Sequence, residues 1–114
     1  DFYPFKNKKS LFSMTAHINY KNIDPNFPAT HSNKIIKLIR NYIGYKNLII
    51  SDDISMKALK NSVTKNTLYA FKAGCNLVTH CNANMSEMIE VAENSPYIND
   101  FIIRKTYQFY NIIR

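Results

Sequence analysis

The chain has 114 residues, 46% of them hydrophobic, which suffices for one modest domain with a core. Its formal net charge is +7, but the 12 Lys and 3 Arg are scattered without a dense cluster. Because Lys, Asn, Ile and Tyr are the amino acids of A/T-rich codons, genome composition explains the charge, and nucleic-acid binding is not expected.

The sequence shows no membrane span, no signal peptide and no cysteine pattern of a metal site, and these observations set the expected localisation and cofactors. No apolar run approaches a membrane span and none forms a signal peptide, so we expect a cytoplasmic chain without a membrane partner. Cys75 and Cys81 are too few for a disulfide scaffold, and five residues separate them, unlike the two-residue spacing of a zinc hairpin. With His80 they suggest a metal only weakly. We expect two buried free thiols, no metal and no other cofactor.

Short apolar runs alternate with helical patterns, which is typical of parallel βα units. The first predicted strand covers residues 11–16, and a proline-containing loop follows it. Ser32 is a favourable N-cap for the first helix, which Gly44 ends. The predicted apolar face of this helix consists of Ile35, Ile36, Ile39, Tyr42 and Ile43.

The same alternation continues to the end of the chain. A second strand is predicted over residues 48–51, and a helix from about 63 to 73 ends at Gly74. A third strand covers residues 76–80. A third helix precedes Pro96, and a final helix runs from about 99 to 113. The apolar positions of the third helix are Met85, Met88, Ile89 and Ala92. The order β-α-β-α-β-α-α favours right-handed crossovers between parallel strands.

Polar side chains follow each predicted strand. The three groups are His17, then Asp52 and Asp53, then His80, Cys81 and Asn82. In a barrel of parallel strands the carboxyl ends carry the chemistry, so this pattern favours an enzyme. Strand ends are polar in most proteins, however, and an exposed turn or a helix N-cap would also explain Asp52.

Four blocks of the sequence, in this order and spacing, carry a resemblance to a known family. They are MTAHINY at 14–20; Asp24 with Pro28, Ala29, Thr30 and Ser32; LIR at 38–40 with Gly44-Tyr45 and LIISDDISM at 48–56; and AGCNL at 73–77 with Cys81-Asn82. Together they resemble the glycoside hydrolases of family three, and among these the bacterial β-N-acetylglucosaminidases of cell-wall recycling. The departures from the family pattern are His31, Tyr42, Asn47 and Asn76, the last in place of an acidic residue.

The resemblance implies an α/β fold, namely about three βα units from the C-terminal part of a TIM-type (β/α)8 barrel. Residues 1–114 would then form a C-terminal fragment of the catalytic barrel. Asp52 would be the catalytic nucleophile of a retaining glycosidase, and Asp53 would orient the loop. His17 is a candidate substrate-binding residue, although a structural role below the pocket is favoured. The roles of His80 and Cys81 stay unassigned.

The general acid/base of the resembling enzymes is a His-Asp pair on an earlier loop, and nothing similar to it occurs in this sequence. We therefore expect the chain alone to be inactive. Three hypotheses follow: a fragment of an enzyme acting on N-acetylglucosamine-containing muropeptides, a half-barrel that works with a separately encoded N-terminal half, or a small basic binding module without catalysis. Open strand edges and an uncovered inner face would also make the chain unstable or self-associating.

Overall fold

The computed structural model describes residues 2–6 and 9–114. Short 3-10 helices cover Tyr3–Phe5 and Ala29–His31. The regular elements are β1 (Phe12–Met14), α1 (Asn33–Asn41), β2 (Leu48–Asp53), α2 (Val63–Ala73), β3 (Leu77–Thr79), α3 (Met85–Glu93) and α4 (Asp100–Ile113). The predicted order of strands and helices is confirmed. The first and third strands are shorter than expected, and the second extends through both aspartates.

The three strands form a parallel sheet in the order β1-β2-β3. Phe12 pairs with Leu48 and Met14 pairs with Ile50 between β1 and β2. Between β2 and β3, Ile50 pairs with Leu77 but Asp53 pairs with Thr79, so β2 contains one more residue than β3 over this stretch. Such an extra residue is a β-bulge. It lies at Ser51 and Asp52, the point where β2 approaches its carboxyl end.

Helices α1 and α2 cover one face of the sheet and enclose the main core. The buried members of this core are Ile36, Tyr45, Ile49, Ala70, Ala73 and Cys75. The helices begin where the sequence predicts, because Ser32 accepts a hydrogen bond from the Ile35 amide and Ser62 accepts one from the Lys65 amide. Gly74 ends α2 in the left-handed conformation, as its position predicts.

Helix α4 covers part of the opposite face of the sheet. Leu48 and Ile49 follow each other along β2, so their side chains point to opposite faces, yet they are 0% and 1% exposed. Ile49 belongs to the core under α1 and α2. On the other face, the ring of Phe109 packs edge-on against Phe12, the β1 neighbour of Leu48, with ring centroids 5.4 Å apart. The sheet is therefore covered on both faces at the amino end of β2.

Three expectations about burial were wrong. Tyr42 follows the last residue of α1 and is exposed rather than part of its apolar face. The apolar positions Met85, Met88 and Ile89 of α3 are also exposed. Only one of the two thiols is buried, because Cys81 lies in the exposed loop after β3 while Cys75 lies in the core.

Arg40 of α1 binds the residues that precede the amino ends of β2 and β3. Its guanidinium donates hydrogen bonds to the carbonyl oxygens of Tyr45 and Asn47, at 3.0 and 2.6 Å, and to Oδ1 of Asn76 at 2.7 Å. The same Asn76 oxygen accepts from the Ile49 amide at 2.9 Å. One side chain therefore ties α1, the loop before β2 and the start of β3 into a single unit.

Candidate active site

The candidate site lies at the carboxyl ends of the three strands. Because the strands are parallel, the residues that follow them are at the same edge of the sheet. His17 follows β1, Asp52 and Asp53 end β2, and His80 follows β3. Hydrogen bonds link both His17 and the loop after His80 to Asp53, so the sequence-predicted groups do meet in the fold.

Asp52 carries the less engaged of the two carboxylates. It lies at the bulge of β2 and is half-buried. Within the described part of the chain, its carboxylate has one hydrogen bond, from the amide of the adjacent Asp53 at 2.8 Å. Ser51 is fully buried, and its hydroxyl accepts from the Thr79 amide at 3.0 Å, which fixes the backbone behind Asp52. Bulges often re-aim a side chain next to an active site, and this one leaves the Asp52 carboxylate available.

Asp53 has a different environment. Its Oδ1 accepts from the Ser55 amide at 3.0 Å, the Ser55 hydroxyl at 2.7 Å and the Cys81 amide at 3.2 Å. Burial by itself raises the pKa of this carboxyl, but the Ser55 and Cys81 donors and the nearby His80 outweigh burial and leave the pKa below its usual value. Asp53 therefore acts as a clamp between the loops that follow β2 and β3.

His17 braces the same segment from the side of β1. Its Nε2 lies 2.8 Å from the Asp53 carbonyl oxygen, which can only accept, so this nitrogen carries the proton and donates. Its Nδ1 lies 2.9 Å from the Thr30 hydroxyl. Both ring nitrogens are thus engaged within the chain, and a direct contact of His17 with substrate stays a prediction.

Thr30 is a residue of this site that sequence reasoning did not single out. It is fully buried, lies 2.9 Å from the Thr15 hydroxyl and donates to the Ala16 carbonyl at 3.2 Å. These contacts join the loop before α1 to the end of β1 and to His17. Its place in the PAT segment of the second resembling block was the available signal, but the sequence does not show that His17 is its partner.

His80 anchors the loop after β3. Its Nε2 lies 2.7 Å from Oε2 of Glu87, in the first turn of α3, and Asn82 donates to the same oxygen at 2.6 Å. The hydrogen bonds from His80 and Asn82 lower the pKa of Glu87. His80 is therefore a structural link between β3 and α3.

Two further features, a metal-binding cluster and a membrane-spanning helix, are not found in residues 2–6 and 9–114. No cluster of three or more His, Cys, Asp or Glu side chains is arranged to hold a metal ion there. In the same residues, no helix combines the length and the apolar character needed to cross a bilayer.

Three parallel strands with polar and acidic side chains at their carboxyl ends are the arrangement found in part of a βα barrel, where catalytic residues come from strand ends. The family profile described as "Glycosyl hydrolase family 3 N terminal domain" matches residues 2–104. The chain therefore belongs to glycosyl hydrolase family 3, and its three-stranded sheet is part of a TIM-type barrel.

Within this family the chain is similar to β-hexosaminidases. It is 44% identical over 72 residues to the β-hexosaminidase of Nitrosomonas eutropha, covering 60% of this chain and 20% of that protein. The β-N-acetylglucosaminidase of Thermotoga maritima is 31% identical over 86% of this chain and 24% of its own, with a TM-score of 0.63. NagZ of Neisseria gonorrhoeae, solved in complex with zinc ion, is 29% identical over 82% of this chain and 27% of its own, with a TM-score of 0.65. The chain thus spans about a quarter or less of the length of each of these relatives.

Proposed function

We propose that this chain supplies the nucleophile of a retaining β-N-acetylglucosaminidase that removes terminal N-acetylglucosamine from peptidoglycan fragments in the cytoplasm. Asp52 is the proposed nucleophile. One observation carries the assignment. Asp53 accepts hydrogen bonds from two loops, whereas the carboxylate of Asp52 accepts, among the residues that the structure describes, from the adjacent backbone amide alone.

The proposed chemistry has two steps. A carboxylate oxygen of Asp52 bonds to the anomeric carbon of the sugar, and the bond from that carbon to the leaving oxygen breaks while an acid protonates that oxygen. A water molecule, deprotonated by the same group, then attacks the anomeric carbon and releases Asp52. His17 and Asp53 serve as positioning residues, because they hold the strand end from which Asp52 projects.

The acid/base group must come from outside the 114 residues. No segment similar to the family's His-Asp loop occurs in them, and general acid–base catalysis contributes about a hundred- to ten-thousand-fold to rate. By the same resemblance, most of the residues that would position the sugar also belong to that earlier part of the barrel. We therefore propose that the chain works only when the rest of the barrel is present, either in one polypeptide or as a separate N-terminal half.

The test is a chimera in which this chain replaces the matched region of the Nitrosomonas eutropha β-hexosaminidase. A fluorinated N-acetylglucosamine analogue with a good leaving group should trap the glycosyl-enzyme, and the mass of the labelled peptide should place the sugar on Asp52. Asp52→Ala should abolish labelling, whereas Asp53→Asn should keep the attachment point at Asp52. A label on Asp53 in the parent chimera would overturn the assignment.

The chain alone, in the same assay with a chromogenic N-acetylglucosaminide, should show no turnover above background. Turnover that disappears in Asp52→Ala would mean that the acid/base group is within these residues after all.

A further inference from the structure

A groove of about 440 Å³ lies between α1 and the segments that precede β2 and β3. Three cationic side chains line it, namely Lys37, Arg40 and Lys46, and none of the described residues that line it is acidic. The groove is therefore a positively charged part of the surface. It lies at the amino ends of β2 and β3, the opposite end of the sheet from Asp52.

Arg40 is half-buried in this groove, and its partners among the described residues are neutral. Its guanidinium donates hydrogen bonds to the carbonyl oxygens of Tyr45 and Asn47 and to the amide oxygen of Asn76. The Tyr45 ring, which lies 5.9 Å from Cζ, is a further neutral contact. Because water screens a half-buried charge less than an exposed one, an anion that enters the groove gains more from Arg40 than from a surface arginine.

Two N–H donors of Arg40 remain for such an anion. A guanidinium has five donors, and the bonds to Tyr45, Asn47 and Asn76 use both hydrogens of Nη1 and one of Nη2. Among the described residues, the buried side-chain nitrogens without a partner belong to His31 and His80, so Nε of Arg40 is not one of them. Nε is therefore accessible, and the side chain that carries it lines the groove.

Lys37 and Lys46 bring two more positive charges to the same groove. Lys37 lies on α1 three residues before Arg40, Lys46 lies in the loop before β2, and both are exposed. Like charges on one helix face repel each other, and no carboxylate of the described residues lines the groove to offset them. An anion bound among the three side chains would remove this repulsion.

The remaining wall of the groove is apolar where Ile36, Ala73 and Phe101 line it beside the cations. A ligand that matches both parts has a compact, strongly charged head and an apolar substituent. A phosphate monoester carries about −1.5 to −2 charge at pH 7, more than a carboxylate, and its oxygens suit the geometry of arginine. The groove therefore favours a phosphate ester over a carboxylate.

We propose that this groove binds a phosphate monoester with an apolar or aromatic substituent. The phosphate oxygens accept from Nε and Nη2 of Arg40 and from the ammonium groups of Lys37 and Lys46, and the substituent packs on Phe101. Because the groove and Asp52 lie at opposite ends of the sheet, the ligand stabilises the fold without occupying the candidate active site. This site does not depend on the role of Asp52.

Isothermal titration calorimetry of the full chain with phenyl phosphate tests the site. Inorganic phosphate and acetate are titrated in parallel at pH 7, with sodium chloride holding the ionic strength constant. We expect one phenyl phosphate per chain, weaker binding of inorganic phosphate, and no measurable binding of acetate. The melting temperature should also rise with phenyl phosphate concentration. Absence of phenyl phosphate binding would overturn the site, and inorganic phosphate or acetate binding as tightly as phenyl phosphate would overturn the ligand class.

Three substitutions locate the bound phosphate. Asn76→Asp places a carboxylate beside Arg40, where it offsets the guanidinium charge and repels the phosphate, so binding should weaken about tenfold or more. Lys37→Ala and Lys46→Ala should each weaken binding about threefold. The matched control is Lys65→Ala on α2, which removes the same charge from an exposed position outside the groove and should bind like the parent chain.

Circular dichroism must first show that each variant keeps the parent fold; the two lysine positions in the groove are exposed and keep the test available if Asn76→Asp does not fold. Undiminished binding by folded Asn76→Asp would overturn the site. So would an equal loss in all three lysine variants, because the phosphate would then respond to the net charge of the chain rather than to this groove.

Discussion

His31, one of the departures from the family pattern, is buried beside Tyr69. The side chain is 7% exposed, the two rings pack edge-on with centroids 5.5 Å apart, and Nε2 has no hydrogen-bond partner within the described residues. Burial, with a smaller contribution from His17, lowers the pKa of His31 to about 4. The imidazole is therefore neutral in the folded chain at pH 7.

This lowered pKa makes stability depend on pH. Between about pH 6.5 and 4 the unfolded state binds the proton and the folded state does not, so the free energy of unfolding falls as the pH is lowered through that window. The limiting slope for one group is about 1.4 kcal/mol per pH unit. His31→Phe should remove this contribution, and it should add about 1 kcal/mol at pH 7 because the orphaned nitrogen is gone.

Urea denaturation at pH 7 and pH 5 measures both effects of His31→Phe. Asp24 does not interfere, because its lowered pKa, held down mainly by the Ser32 hydroxyl, places its titration below this window. Equal pH slopes in the parent chain and the variant would show that His31 is not the responsible group.

Asn76 offers a second test at this scale. Within the described ranges, the hydrogen-bond partners of Arg40 are all neutral, namely two carbonyls and the Asn76 amide oxygen. Burial lowers the pKa of Arg40, which reflects the cost of its charge in this place. Asn76→Asp should restore a charge-assisted bond and raise the free energy of unfolding by about 1 kcal/mol, as measured by urea denaturation at pH 7. In an Arg40→Gln background the gain should vanish; a gain of the same size there would contradict the ion-pair explanation.

His31 and Asn76 also show what the sequence could predict at the scale of single residues. A comparison of positions along the sequence was enough to mark both as departures from the family pattern. It did not indicate that Asn76 meets Arg40 or that His31 meets Tyr69. Those contacts join residues 36 and 38 positions apart, and only the packing of α1 and α2 on the sheet brings them together.

The C-terminal ends of the helices are the best test of individual elements. Gly74 has φ +117°, and a Cβ at this position would lie 2.9 Å from Cγ2 of Ile36 in the core. Gly74→Ala combines backbone strain with this clash and should cost about 2–4 kcal/mol. Gly44 lies beyond the end of α1 with φ +77°, but a Cβ there would have no atom of the described residues within 4 Å other than its chain neighbours. Gly44→Ala should therefore cost only about 1–2 kcal/mol.

Thermal or urea unfolding of the two glycine variants measures the difference directly. Equal costs would mean that Ile36 moves aside without penalty and that the core is looser there than the structure indicates.

The start of α1 at Ser32 and the end of α2 at Gly74 were predictable, because each cap acts within one turn of its own helix. The predicted end of the first helix at Gly44 was wrong, because α1 ends at Asn41 with Tyr42 as its C-cap. The bulge at Ser51 and Asp52 was not predictable, because it is a mismatch in length between β2 and β3. The bulge, which orients the Asp52 side chain, depends on how β2 pairs with β3. The sequence of β2 by itself therefore does not predict it.

For the whole molecule, the described surface predicts self-association. Met14, Ile103, Tyr107 and Tyr110 are more than half exposed, and β1 has an unpaired edge. Helix α4 covers the inner sheet face near Phe12, contrary to the expectation that no helix would reach it, but it leaves its own apolar residues outside.

The melting temperature of the isolated chain should therefore rise with protein concentration, and light scattering should show species larger than a monomer. Differential scanning fluorimetry over a hundredfold concentration range, with Tyr107→Asp and Met14→Asp as comparison variants, tests this. A sharp, reversible melt of a monomer at every concentration would favour an independent binding domain.

The loop after β3 also contains an exposed cysteine, Cys81, that can be labelled selectively. The chain has two cysteines, and burial raises the pKa of Cys75 to about 12, so its thiol stays protonated and shielded at pH 7. Cys81 is exposed, and its backbone amide binds the carboxylate of Asp53. A maleimide fluorophore should consequently attach to one known position at the rim of the candidate active site. Without any engineered cysteine, its emission should report when a sugar analogue approaches Asp52.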